Sequence, residues 1–297
     1  MPKFSPLHLD SGMTSTDTLS QFTSNVPHTQ TSSTAEAAPA LAPGVYIVGA
    51  GPGDPELLTV KAQRLLHQAD VILFADSLVP AQMLQGVRAD AEVIRTANKT
   101  LEEILPIMVD RVRSHQSVVR LHSGDPCLYG AVYEQMQALA AAEIPFEIIP
   151  GISAFQAAAA SLKVELTVPG LVQTIILTRI SGRTQVPAAE ELESLAAHKA
   201  SLCLYLSARH VESAQEKLMQ HYSAETPVAV CFRLGWSDEQ IWVVPLSEMA
   251  AVTAEKNLIR TTLYVISPAL ATNEQWRSRL YNPEHSHLFR RGETPMG

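Results

Sequence analysis

Three short loops contain the residues best suited to chemistry. The first is Gly49-Ala50-Gly51-Pro52-Gly53-Asp54-Pro55. A glycine-rich turn between a strand and a helix lets backbone N–H groups come close to a ligand. It is a poor dinucleotide fingerprint. Gly-x-Gly-x-x-Gly counted from Gly49 puts Asp54 where the third glycine belongs, and Pro52 has no N–H to offer a pyrophosphate. The competing reading is a tight turn that binds nothing, and on this motif alone the two are about even. The second loop is Ser123-Gly124-Asp125-Pro126-Cys127-Leu128-Tyr129-Gly130. Here Gly124 permits unusual backbone torsions, and Asp125 either takes a hydroxyl or ammonium group or merely caps the next helix. The third is Pro150-Gly151-Ile152-Ser153-Ala154. Three such loops at the carboxyl ends of parallel strands outline a binding crevice.

The flanking segments have the pattern needed to place the loops side by side. Val45–Val48, Val71–Phe74, Ser117–His122 and Phe146–Ile149 are short apolar runs of strand formers. Between them the spacing predicts a helix opened by Asp54 and Pro55, with Leu57, Leu58, Leu65, Leu66 and Ala69 on its apolar stripe. Further helices are predicted over 101–112, 129–142 and from Ser153 onward. Strands alternating with helices imply an α/β fold, with a mainly parallel sheet covered on both faces. The pattern changes at Glu165–Gly170. Beyond it, strands are predicted at 173–179, 202–206, 228–232, 240–244 and 262–266, with helices at 188–198 and 209–221. Two strands meet without a helix around Trp236, which implies a mixed second sheet. The expected organisation is a disordered extension over 1–43, an N-terminal α/β domain over 44–168, a C-terminal α/β domain over 169–270 and a peripheral tail over 271–297.

Composition narrows the function. The chain has 297 residues and a net charge of −8, which argues against a nucleic-acid or anionic-membrane partner. No apolar run approaches the roughly 20 residues that span a bilayer. The three cysteines, Cys127, Cys203 and Cys231, form no Cys-x-x-Cys pair, so a reducing, cytoplasmic setting is expected. Fourteen of the first 43 residues are Ser or Thr, with no apolar period, hence the disordered reading. The segment lacks the basic start and apolar block of a secretory signal, and its single Lys and absence of Arg make a weak transit peptide. His285 and His287 are two ligands at most, and no metal is assigned.

The three loops, in this order and spacing, resemble those of the tetrapyrrole methylase family, whose members use S-adenosylmethionine. The resemblance runs from about Val45 to Leu270. Four stretches resemble one branch in particular: 121–131 with Glu134-Gln135, Leu177-Thr178-Arg179 leading to Gly182-Arg183-Thr184, Tyr205-Leu206-Ser207, and Trp236-Ser237-Asp238-Glu239. That branch implies methyl transfer to C-11 of precorrin-4, or its cobalt form, giving precorrin-5 in cobalamin synthesis.

The resemblance also implies two α/β domains with the cofactor between them, in a homodimer. Carried over position by position, Pro52, Ser123, Gly124, Asp125, Leu128, Ser153, Ala154, Leu206 and Leu234 would line the cofactor. Without the family, Leu206 and Leu234 read as core. No catalytic base is assigned: Ala75 stands where some members carry Asp, and Asp76 follows it. Ser267 stands where the family more often has Gly, which would touch the pocket edge. A polycarboxylate substrate calls for local cations. Arg179 and Arg183 come first, then Arg95, Lys99, Arg120, Arg209 and Arg233, with solvated surface charge as the competing reading for most. His122 and Tyr129 are further substrate-binding candidates. Other readings are a family methylase acting on a different ring carbon, a methylase of RNA or protein, and a non-catalytic tetrapyrrole or nucleotide binder.

Overall fold

The computed structural model describes residues 40–182, 184–271, 278, 285–286 and 288–290. Of the expected extension over 1–43, residues 1–39 lie outside the described residues, as do Arg183 and most of the tail, His287 included; Leu41, within the described part, packs against the core. Five strands form the first sheet: β1 (Gly44–Gly49), β2 (Val71–Phe74), β3 (Glu92–Arg95), β4 (Ser117–His122) and β5 (Phe146–Ile149). All are parallel, in the order β3-β2-β4-β1-β5. Val45 and Ile47 pack on one face with Met108 of helix α2 (Leu101–Arg113) and Leu139 of helix α3 (Val132–Ala141). Val48 packs on the other with Leu65 and Leu66 of helix α1 (Val60–Gln68). This is the expected doubly covered sheet.

The order of the strands creates the crevice. β1 and β4 are neighbours, but β1 leads through α1 on one face to β2, and β4 leads through α3 on the opposite face to β5. Their following loops therefore diverge, and a gap opens at the carboxyl ends of the two strands.

The second sheet holds β6 (Ile175–Arg179), β7 (Ser201–Tyr205), β8 (Pro227–Phe232), β9 (Gln240–Pro245) and β10 (Thr262–Ile266), in the order β6-β7-β10-β8-β9. Only β6 and β7 run parallel, and β8 and β9 form the expected direct hairpin. Leu192, Leu218 and Met249, from α5 (Leu192–Ala196), α6 (Val211–Met219) and α7 (Met249–Glu255), cover one face. Helix α4 (Ala154–Leu162) covers the other, with Ala157 and Ala158 against Cys203, Ala229, Cys231 and Val265. Although α4 follows the first sheet in sequence, it packs on the second, so the third loop is held between the two sheets.

Several predicted boundaries change. The first helix does not start at Asp54. Asp54 accepts from the Glu56 N–H and closes a single 3-10 turn over Pro55–Leu57, and Thr59 caps α1 instead. The 188–198 helix divides into a 3-10 turn over Ala188–Glu190 and the short α5. Helix α3 begins at Val132 rather than Tyr129, because Tyr129 and Ala131 are left-handed (φ 55° and 49°). Strand β3 and helix α7 were not expected.

Candidate functional site

The three glycine loops interlock through their backbones. Gly51 and Gly124 exchange two hydrogen bonds, N–H to C=O, at 3.1 and 2.7 Å. A Cβ on Gly151 would meet the Gly124 carbonyl oxygen at 2.3 Å and Gly49 Cα at 2.8 Å. One on Gly49 would meet Gly151 N and Cα at 2.6 Å. Glycine is needed here because only a chain without side chains lets three backbones approach so closely. Asp125 completes the lock: one carboxylate oxygen accepts from the Cys127 N–H at 2.8 Å and the other from the Gly151 N–H at 2.9 Å. Desolvation pushes its pKa up, but the bonds from Cys127 and Gly151 outweigh this and hold it below the usual carboxylate value. Asp125 is therefore first a tie between the second and third loops.

A cleft of about 350 Å³ opens beside this lock, bounded by loops of both sheets. That volume is within the range of small-molecule sites, roughly 300–1,000 Å³. Pro52, Ser123, Gly124, Asp125, Leu128, Tyr129, Ser153 and Ala154 line it from the first sheet's loops and the start of α4, and Leu206 and Leu234 from the second sheet. Leu234 is buried, as a core reading expects. Leu206 is not core: it is 67% exposed at the cleft wall, with φ 53°.

Backbone strain is concentrated around the cleft. Among the described residues, ten non-glycine residues have left-handed φ. Five, His115, Glu143, Lys163, Lys199 and Asn257, lie at or just past helix ends, where this conformation is ordinary. The other five are Tyr129, Ala131, Leu206, Arg233 and Thr261. Three of these line the cleft, and Arg233 adjoins Leu234. Each costs on the order of 1–2 kcal/mol in a non-glycine residue, and such strain gathers at binding sites.

Tyr205, at the end of β7, ties the lobes together. Its hydroxyl accepts from the Phe155 N–H at 3.1 Å and shares a 2.8 Å hydrogen bond with Ser153 Oγ. Burial pushes its pKa up to about 12, so it remains a neutral phenol. The Tyr129 ring lies 5.5 Å from it, centroid to centroid. On the far side, Gln82 Nε2 donates to the carbonyls of Gly53 (2.7 Å) and Gly235 (3.3 Å), clamping the first loop to the β8–β9 hairpin.

The expected cations are placed differently. Arg179 does not line the cleft; its guanidinium donates to the carbonyls of Thr184 (3.0 Å) and Gln185 (3.1 Å), holding its own loop. Its charge still reaches Tyr129: burial raises that phenol's pKa and Arg179 opposes the rise. Arg183 lies outside the described residues. His122 is also off the cleft, buried beneath Gly130, with its pKa pushed down to about 4 by desolvation and by the nearby Arg120 charge. Arg120 is buried and donates to Thr96 Oγ1 at 2.9 Å. Arg233 pairs with Asp238, and Arg95 and Lys99 do not line the cleft. Ser267 is not at the pocket edge; it is fully buried and bonds Ser201 Oγ at 2.7 Å. Asp76 does not line the cleft either, and accepts from the Ala97 N–H at 3.3 Å.

Sequence reasoning missed Leu78, Tyr205, Ile259, Arg260 and Thr261 as lining residues. The 259–261 segment carries no motif. Only the pairing of β10 with β7 and β8 brings it to the cleft.

The profile of the family described as Tetrapyrrole (Corrin/Porphyrin) Methylases matches residues 44–250, most of the chain and all three glycine loops. The chain is a tetrapyrrole methylase. Among its relatives, a precorrin-4 C(11)-methyltransferase of Pseudomonas aeruginosa is 45% identical over 249 residues, 84% of this chain and 99% of that one. A cobalt-precorrin-4 C(11)-methyltransferase of Methanocaldococcus jannaschii is 42% identical over 83% of this chain and 96% of its own. Among solved structures, a cobalt precorrin-4 methyltransferase superposes with a TM-score of 0.74 at 41% identity, covering 77% of the methylase described here and 96% of that chain. A uroporphyrin-III C-methyltransferase from Thermus thermophilus, complexed with S-adenosylhomocysteine, superposes with a TM-score of 0.65 at 28% identity, covering 76% and 98% of the two chains.

Proposed function

We propose that this methylase transfers a methyl group from S-adenosylmethionine to C-11 of precorrin-4, or its cobalt form, giving precorrin-5 in cobalamin synthesis. The relatives named for that reaction support the substrate. The observation that carries the site is Leu206, an apolar side chain two-thirds exposed and held in strained backbone on a cleft wall.

The cleft suits the cofactor. Leu78, Leu128, Leu206, Leu234, Ile259 and Leu263 offer apolar walls for a nucleoside. Gly124 leaves open space, since a Cβ there would find its nearest neighbour 3.9 Å away at Ser153 Cα. Pro52, Ser123, Asp125, Ser153 and Ala154 border the same space. The sulfonium supplies an already activated methyl group. The residues then have to orient the two reactants and keep water out. Tyr205 and Asp125 fix the loops that set this geometry, and Tyr129 presents an aromatic face. The attacked pyrrole-derived carbon is electron-rich, so no strong protein base is required. This agrees with the absence of an acidic side chain lining the cleft, among the described residues, other than the already bonded Asp125.

We read 44–168 and 169–270 as the two domains of a cytoplasmic homodimer. Cys127, Cys203 and Cys231 are unpaired, as a reducing compartment expects, and among the described residues no helix is long and apolar enough to cross a membrane. Sedimentation of the purified chain tests the dimer.

The function is tested first by calorimetric titration with S-adenosylhomocysteine, with NAD as control, followed by turnover of precorrin-4 with identification of the methylated carbon. Binding of S-adenosylhomocysteine alone and a product methylated at C-11 are expected. A methyl group on another ring carbon would assign the enzyme to a different branch, and failure to bind S-adenosylhomocysteine would remove the methylase activity altogether.

A further inference from the structure

Two arginines face the cleft with no hydrogen bond or ion pair to their guanidinium groups among the described residues. Arg209 follows β7, and Arg260 precedes β10. Both are exposed. Three other arginines near the site, among the described residues, are committed: Arg179 to loop carbonyls, Arg233 to Asp238 and Arg120 to Thr96. β7 and β10 pair antiparallel, with Tyr264 opposite Leu204 and Ile266 opposite Leu202. Because the pair is antiparallel, the carboxyl end of β7 and the amino end of β10 lie together. The two cations therefore leave the same end of one strand pair on the same cleft wall. The one carboxylate in that lining, Asp125, is held by two backbone N–H groups. A protein of net charge −8 thus presents an uncompensated pair of positive charges inside its binding cleft.

We propose that Arg209 and Arg260 form a carboxylate-binding subsite of this cleft. Arginine suits this role because its planar fork donates two parallel hydrogen bonds to a carboxylate. Two ligand carboxylates are available: that of the cofactor's methionine moiety, and those of the substrate's acetate and propionate groups. The inference rests on the methylase reading, which brings both into the cleft.

The test compares wild type with Arg209→Gln, Arg260→Gln and the double variant. Binding of S-adenosylhomocysteine and of 5′-methylthioadenosine, which lacks the amino-acid carboxylate, is measured by calorimetry, and KM and kcat by turnover of precorrin-4. Each charge-assisted bond lost is worth about tenfold in affinity, so the double variant is expected to lose up to about a hundredfold for the ligand the pair holds. A loss for S-adenosylhomocysteine with 5′-methylthioadenosine unchanged assigns the pair to the cofactor carboxylate. A raised KM for precorrin-4 with kcat and both nucleoside affinities unchanged assigns it to the substrate. Unchanged constants throughout overturn the proposal, as does an equal loss for both nucleosides, which would mean the arginines touch the adenosine. Failure of the methylase reading would appear in the wild type, as no binding of S-adenosylhomocysteine.

Discussion

Replacing Gly151 by alanine tests whether interlocked backbones build the cleft. Its φ lies outside the left-handed region, so alanine is opposed there by space alone. The new Cβ would meet the Gly124 carbonyl oxygen at 2.3 Å and Gly49 Cα at 2.8 Å, both backbone atoms with no rotamer to adjust. Relief to an ordinary contact of 3.4 Å requires a shift of 3.4 − 2.3, about 1.1 Å, between the second and third loops. Overpacking of this kind costs about 1–3 kcal/mol. At about 2–4 °C per kcal/mol for a protein of this size, Tm should fall by roughly 2–12 °C. The effect on function is larger, because a 1 Å misplacement of positioning groups costs about a hundredfold in rate. The expected result is a folded protein whose methyl-transfer rate falls about a hundredfold and whose affinity for S-adenosylhomocysteine drops, read by turnover and calorimetry beside differential scanning. Gly44→Ala is the control. Its Cβ would lie 3.1 Å from the Pro145 carbonyl at the opposite end of β1, so a small loss of stability and unchanged affinity are expected. If Gly151→Ala binds S-adenosylhomocysteine as tightly as wild type and melts at the same temperature, the three loops do not constrain one another and the reasoning fails.

Three other predictions follow from the site's hydrogen bonds and buried groups. Tyr205→Phe leaves the Phe155 N–H without its acceptor; about 1–3 kcal/mol of stability should be lost, and an unchanged urea midpoint would show that the bond contributes nothing. Gln82→Glu puts a carboxylate where an amide donates to the carbonyls of Gly53 and Gly235; at pH 7 the ionised side chain has no donor to offer, so S-adenosylhomocysteine should bind more weakly than to wild type, and equal affinity would count against the clamp. His122 has its pKa lowered to about 4, so the folded protein keeps it neutral while the unfolded chain protonates it below its ordinary value of 6.5. Its effect on stability is therefore absent above pH 6.5 and becomes a growing penalty as pH falls toward 4. At pH 5 the penalty is about 1.36 × (6.5 − 5), or ~2 kcal/mol. Urea unfolding of wild type and His122→Asn at pH 7 and pH 5 should differ by that amount, and parallel pH slopes would contradict the burial argument.

The first sheet was largely legible in the sequence because its central strands are buried on both faces and read as continuous apolar runs, as in Val71–Phe74. Strand β3 was not. It is an edge strand whose Glu92, Val93 and Arg95 are exposed, and it carries no period that sequence reasoning could detect. The start of α1 was misplaced because Asp54 and Pro55 open a local turn as readily as a helix, and only packing sets α1 at Val60.

The sequence alone determined the three glycine loops, their order along alternating strands and helices, and the family they belong to. These are local properties, since which residues tolerate a tight turn depends on the chain within a few positions. The tertiary structure decided which side chains share the cleft. It turned Leu206 out of the core in strained backbone, tied Arg179 to its own loop, buried His122, and brought Arg209 and Arg260, some fifty positions apart, to the lining of one cleft. A long side chain's partner is chosen by packing between distant segments, and that choice leaves no mark on the residue's own sequence neighbourhood.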